Sequence, residues 1–120
     1  MRIINLTQHN ATLEQTAAGV FEPADKKKIQ ELLTFNELPN KLELMQRSKA
    51  LAEMAKASGA EAAMIGGAPY FMPWLDLQLE QIGVTPIYAF SIRESIEKML
   101  PDGTVQKVNV FKHKGFVGLN

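Results

Sequence analysis

Three groups of residues in this chain have the types and spacing to do chemistry. Thr7-Gln8-His9-Asn10 follows the first apolar run, "IINL". Gly66-Gly67-Ala68-Pro69-Tyr70 follows the second, "AAMI". Ser91-Ile92-Arg93-Glu94-Ser95 follows the third, "PIYAF". Hydroxyls, amides, an imidazole, a guanidinium and glycine backbone are the groups that hold a phosphate and move a proton beside it. His9 is a candidate general acid or base, since only histidine titrates near neutrality without help. It reads equally as a cap partner or a surface residue. Arg93 offers phosphate a two-pronged fork, with Ser91 as a donor beside it. The same arginine suits a surface pair with Glu94 or Glu97. Gly66-Gly67 lets backbone approach a ligand closely, or simply makes a tight turn. It lacks both the full G-x-G-x-x-G pattern and the lysine of a P-loop. Tyr70 can stack on a base or donate through its hydroxyl, whereas Phe71 and Trp74 sit at a spacing that suits a core. Lys112-His113-Lys114 is a local positive cluster or a solvated strand end.

Other chemistries lack their residues. The chain has no cysteine, so disulfides, thiolate metal sites and cysteine nucleophiles are absent together. Its two histidines stand far apart in sequence, and no H-E-x-x-H appears. No G-x-S-x-G elbow is present either. The dinucleotide fingerprint is incomplete and the chain is short for a two-halved cofactor domain, so no cofactor and no metal is expected.

These residues need elements to position them. Arg2–Thr7 reads as a short buried strand. Thr12 caps a short helix over Leu13–Ala18, which Gly19 stops. Pro23-Ala24-Asp25 opens a second helix with Ile29, Leu32 and Leu33 on one face. A long helix runs from near Pro39 to Gly59, with Leu42, Met45, Leu51, Met54 and Ala55 as its inner stripe. Glu43, Arg47, Lys49, Glu53 and Lys56 form its wet side. Ala62–Ile65 is a second strand. Pro73-Trp74 begins a further helix carrying Leu75, Leu77, Leu79 and Ile82. Thr85–Phe90 is a third strand. Pro101-Asp102-Gly103 is a turn between Ser95–Met99 and Val105–Phe111, although Arg93–Met99 also fits a helix.

Short apolar strands separated by helices predict right-handed βαβ crossovers and a parallel sheet. The expected fold is α/β, a small Rossmann-like three-layer domain over 1–120, with a short parallel sheet and a C-terminal β-hairpin. In such sheets ligands settle beyond the carboxyl ends of the strands. The three polar groups above would all meet there. Of the 120 residues, 46% are hydrophobic and 22% charged, with 13 basic against 13 acidic. That is globular composition, and its zero net charge encodes no long-range pull toward duplex DNA or an anionic membrane. No apolar run approaches the roughly 20 residues of a membrane span. With no leader pattern before the first strand, the expected location is cytoplasmic.

The combination of "IINLTQHNAT", "MIGGAPYFM" and "TPIYAFSIRESIEKMLPDGTVQKVNVFKHKGFV" resembles the small stand-alone proteins grouped with the CRISPR-associated Rossmann-fold, or CARF-like, families. The similarity covers the two ends and the Gly66 region, while Phe21–Gly59 adds nothing to it. The resemblance implies a homodimer whose strand-end loops surround a twofold axis and bind a symmetric anionic nucleotide. Related families bind cyclic oligoadenylates, and some are ring nucleases that cut the ring without a metal. By that resemblance Thr7, Gln8 and His9 match the first-strand loop, Gly66 and Gly67 the ligand-approach turn, and Ser91 and Arg93 the polar end of the third strand. The related nucleases place a lysine or histidine in the cleft; here His9 is the candidate.

The expectation is therefore a nucleotide-signal binding protein that takes a small nucleotide ligand and extends to metal-independent ring cleavage. His9 is its catalytic candidate. Thr7, Gln8, Asn10, Gly66, Gly67, Tyr70, Ser91 and Arg93 are its ligand-binding candidates. The alternative is a non-catalytic interaction or accessory protein, of a mobile element for example, in which the glycine pair is only a turn. An enzyme acting on another small phosphorylated metabolite is a third reading.

Overall fold

The structure is a computed structural model that describes residues 1–119. Its elements are β1 (Ile3–Leu6), α1 (Leu13–Ala17), β2 (Val20–Phe21), α2 (Lys26–Leu33), α3 (Lys41–Ala57), β3 (Ala62–Ile65), α4 (Met72–Gln81), β4 (Thr85–Met99) and β5 (Val105–Val117). The fold is α/β, built on one five-stranded sheet in the order β2-β1-β3-β4-β5. The first four strands pair parallel, and β4 and β5 form an antiparallel hairpin.

Local chemistry sets most boundaries. Thr12 and Gln15 form a reciprocal capping box at the start of α1. Gly19 ends that turn at φ +113, where a Cβ would run into the Met1 carbonyl. Asp25 and Asn40 cap α2 and α3 by accepting from Lys28 N–H and Glu43 N–H. The two-residue β2 was not expected. It pairs Val20 with Ile3 and Phe21 with Ile4 at the sheet edge, a match too short to leave an alternation in sequence.

Alternate strand residues divide the core. Ile4, Leu6, Ala63 and Ile65 face α2, α3 and α4, packing with Ile29, Leu33, Leu51, Phe71, Leu75 and Leu79. On the other face Ile3, Val20, Ala62, Met64 and Ile87 form a smaller cluster, closed by Ala11 and Phe116. The inner stripe of α3 differs from expectation. Leu44, Ser48, Leu51, Ala52 and Ala55 are buried, whereas Leu42 and Met45 are exposed. Small residues let that side approach its neighbours closely, and the Ser48 hydroxyl donates to Met45 O at 3.0 Å, so burying it is tolerable. On α4, Leu77 likewise faces out while Met72, Leu75 and Leu79 face in.

The largest departure lies in β4. The third strand does not stop at Phe90 but continues to Met99, and β5 pairs with it along nearly its whole length. Arg93–Met99 is strand, not helix. Phe90 pairs with Gly115 and Ser91 with His113, leaving Lys114 as an extra residue. Such a bulge bends the pair. It divides the part of the hairpin that joins the sheet from a free two-stranded ribbon beyond it. Among the described residues, no helix is long and apolar enough to cross a membrane.

Candidate functional site

The site begins at a reversal in the sheet. From β1 the chain first steps outward to β2, then returns across β1 to place β3 on its other side. With right-handed crossovers these two connections leave opposite faces, so the loops after β1 and β3 diverge. A cleft of about 510 Å³ opens there. Thr7, Gln8, His9 and Asn10 form one wall, Gly66, Gly67 and Ala68 a second, and Tyr88 and Ala89 a third.

Asn5 fixes the first wall. It is fully buried, and its Nδ2 donates to His9 O at 2.7 Å and to Glu22 Oε1 at 2.8 Å. Its Oδ1 accepts from Thr7 N–H at 3.0 Å and from Thr7 Oγ1 at 2.7 Å. Glu22 also accepts from Ala11 N–H at 2.9 Å and from Lys26 Nζ at 2.8 Å, and Lys26 donates again to His9 O at 3.1 Å. Burial pushes the Glu22 carboxyl up. Hydrogen bonds from Lys26, Asn5 and Ala11, with the Lys26 charge, outweigh it and hold the group below its ordinary range. Gln8 reaches across to donate from Nε2 to Thr34 Oγ1 at 3.1 Å, tying the loop to the end of α2. His9 thus joins this network through its backbone, while its side chain is exposed on the rim.

The glycine pair makes the second wall, and its members differ. Gly67 has φ +155, and a Cβ there would touch Met72 Cε at 3.4 Å. Gly66 has no such backbone demand, and a Cβ would meet only Thr7 Cγ2 at an ordinary 3.6 Å. The fold therefore does not require glycine at 66. The N–H groups of Gly67 and Ala68 donate to no backbone partner in the described chain, and both residues line the cleft. The nearby start of α4 is a poorer donor. Ala68 O already takes Phe71 N–H and Met72 N–H, and Pro73 has none to give.

Six of the expected site residues therefore meet: Thr7, Gln8, His9, Asn10, Gly66 and Gly67. Tyr70, Ser91 and Arg93 are not brought to the cleft. Tyr70 packs edge-on against Phe35 at 5.6 Å and is half exposed. Arg93 lies over the Phe111 ring at 5.4 Å, out on the ribbon. Register explains this. Met64 pairs with Ile87, so the rim reached after Ile65 lies at Tyr88 and Ala89 on β4. Ser91 and Arg93 come two and four residues later, roughly 7 and 13 Å further along at about 3.3 Å per residue.

Tyr88 is the residue that the sequence did not mark. Burial, with the Asp76 carboxylate nearby, pushes its phenol up, so at neutral pH it stays a hydroxyl donor. The only available signal was a polar aromatic in an otherwise apolar strand. Thr12, read as a cap, and Gln15, its partner in the capping box, also line the cleft. Among the described residues, no group of three or more histidine, aspartate or glutamate side chains is placed to hold a metal ion.

The class defined by fold and geometry is an α/β chain with a cleft of mixed polar and apolar lining at a sheet reversal. Residues 1–117 match the model of the family described as the uncharacterized protein MJ1673 family, and the chain belongs to that family. No curated protein and no solved structure matches it. The family description names no activity.

Proposed function

We propose that the chain is a cytoplasmic, homodimeric nucleotide-signal binding protein of Rossmann-like three-layer type, whose cleft takes phosphate-linked nucleotides of the cyclic oligoadenylate kind. The observation that carries this is the convergence of Thr7–Asn10 and Gly66–Ala68 on one cleft at the reversal point. There phosphate oxygens meet amides and hydroxyls, and a base can lie toward Tyr88. Neither arginine nor lysine lines the cleft, so the phosphate is held by neutral donors. A ring of several nucleotides exceeds one cleft of this size; a twofold-related copy would take the remainder.

Ring cleavage is the further step in this reading. The His9 imidazole takes the proton of a ribose 2′-hydroxyl, and that oxygen attacks the adjacent phosphorus. The bond from phosphorus to the 5′-oxygen breaks, and that oxygen takes a proton from water and leaves as a 5′-hydroxyl. The imidazolium returns its proton to the hydroxide so formed, and a 2′,3′-cyclic phosphate remains. The backbone donors stabilise charge on the non-bridging oxygens.

Thermal shift against cyclic and linear oligoadenylates, mononucleotides and dinucleotide cofactors tests the binding. A ligand specific for the folded state raises the melting temperature. Gly66→Ala keeps stability within about 0.5 kcal/mol of wild type and weakens the binder at least about tenfold, because the new methyl stands where the ligand approaches. Arg93→Ala leaves affinity unchanged. His9→Ala binds but does not cleave. Undiminished affinity in Gly66→Ala overturns the cleft assignment. A different observation, the exposed apolar ribbon, favours the interaction-protein reading. No shift with any nucleotide would select it.

A further inference from the structure

Beyond the bulge, the ribbon carries a pattern that two copies of this chain satisfy together. Ile92, Glu94, Ile96 and Lys98 alternate along β4 and share one face with the residues paired opposite them: Lys112, Val110, Val108 and Gln106. The next pair, Leu100 and Thr104, closes the turn through Leu100 N–H to Thr104 O at 2.8 Å. No core residue covers this face: both hydrophobic clusters stop at Tyr88 on one strand and Phe116 on the other. Ile96 remains 43% exposed. A two-stranded ribbon alone is marginally stable at best in water. Neither Glu94 nor Lys98 forms an ion pair within the described chain.

The geometry points to this face as a homodimer interface, two ribbons stacked face to face about a twofold axis that runs across the Ile96–Val108 pair. Such an axis reverses strand direction and lays β4 over β4. Ile96 then meets its own copy, as does Val108. Glu94 falls over the partner's Lys98, and the partner's Glu94 over Lys98. Ile92 falls over the partner's Leu100, while Lys112 reaches the partner's turn, which carries Asp102. Along β4 every residue meets an apolar or opposite-charge partner, while on β5 Val110 falls over the partner's uncharged Gln106. No like charges face each other, as a self-complementary surface requires. Shifting the axis by half a row would set Ile92 over the partner's Lys98 and Glu94 over the partner's Ile96, an apolar side chain against a charge in each row. Five rows give about ten residues a side, roughly half of a standard interface, so the dimer belongs to the weaker class, with Kd in the micromolar range.

This inference deepens the homodimer part of the proposed function and rests on that part alone, independently of what the cleft binds. Sedimentation of the full chain from about 1 to about 200 µM should show the mass rising from one 13.3 kDa chain toward two. Glu94→Lys and Lys98→Glu each set like charges together and weaken association at least about tenfold. The double variant, Glu94→Lys with Lys98→Glu, restores it, because its charges are opposite again across the axis. Phe111→Ser, on the reverse face, leaves it unchanged. A wild type that stays monomeric at the highest concentration overturns both the interface and the homodimer. A dimer that ignores the single reversals, is not restored in the double variant, or dissociates in Phe111→Ser overturns this face while leaving the homodimer standing. Nucleotide thermal shifts on the monomeric variants report on the cleft independently.

Discussion

Asn5 commits both ends of one amide to a single loop, and that loop is the first wall of the cleft. His9 stood out in sequence for its imidazole, yet the fold uses its carbonyl, which accepts from Asn5 and Lys26. The imidazole is left exposed at the rim of the cleft. Glu22 is the charge that organises this corner, and nothing in sequence marked it, because its partners come from three separate segments. Its carboxyl titrates below the ordinary value of 4.5 in the folded chain. A depressed folded value means a stabilising contribution that is complete above the unfolded value and lost as pH falls through the folded one. Glu22→Gln should therefore lower the melting temperature by about 3 °C near neutrality. The gap to wild type should close as the pH drops below 4.5. Its partial exposure keeps the effect small. Melting curves across pH check this; a gap that is constant with pH would mean that the Glu22 charge does not hold the loop.

At the scale of elements, what the sequence disclosed was local and what it hid was relational. Thr12 and Gly19 marked the two ends of α1, and Gly59 the end of α3, because each acts on its own few neighbours, whereas the Asn40 cap of α3 went unmarked. The extent of β4 was hidden, because its ribbon face interleaves Ile92 and Ile96 with Glu94 and Lys98. That erases the apolar-polar alternation by which a half-buried strand is known. Arg47 shows the same limit. Expected on the wet side of α3, it closes the end of α2, donating to the carbonyls of Glu31, Leu32 and Thr34 at 3.2, 3.3 and 2.6 Å. It also pairs with Glu43 at 2.9 Å and lies over Phe35 at 4.4 Å. A cation at a helix C-terminus complements both the free carbonyls and the dipole. Arg47→Ala should cost about 2 kcal/mol, read as a lower urea midpoint at unchanged slope. Arg47→Lys should recover less than half of that, since an ammonium cannot both fork and stack. Full recovery by lysine would reduce the role to charge alone.

The whole molecule is longer than its core requires. Its radius of gyration is 16.9 Å, and its extents are 57 × 35 × 25 Å, whereas a compact chain of this size has a radius near 14 Å. The excess is the ribbon, which contributes nothing to either hydrophobic cluster. The cleft lies wholly on the body, as does every residue that fixes its walls. Body and ribbon are thus separable: one holds the cleft, the other extends beyond both hydrophobic clusters. Ser91 and His113 are the first pair beyond the bulge, so a two-residue Asn-Gly turn joining them directly would close a hairpin of ordinary geometry. That shortened chain should fold, with a radius of gyration in solution of about 13 Å. It should bind any nucleotide found for the full chain as one subunit does, and should no longer self-associate. Scattering and sedimentation read the first and last of these, and the melting curve reads the fold. If the shortened chain loses its cooperative melt, the ribbon contributes to the core after all, and an arm held out for a partner is the wrong description of it.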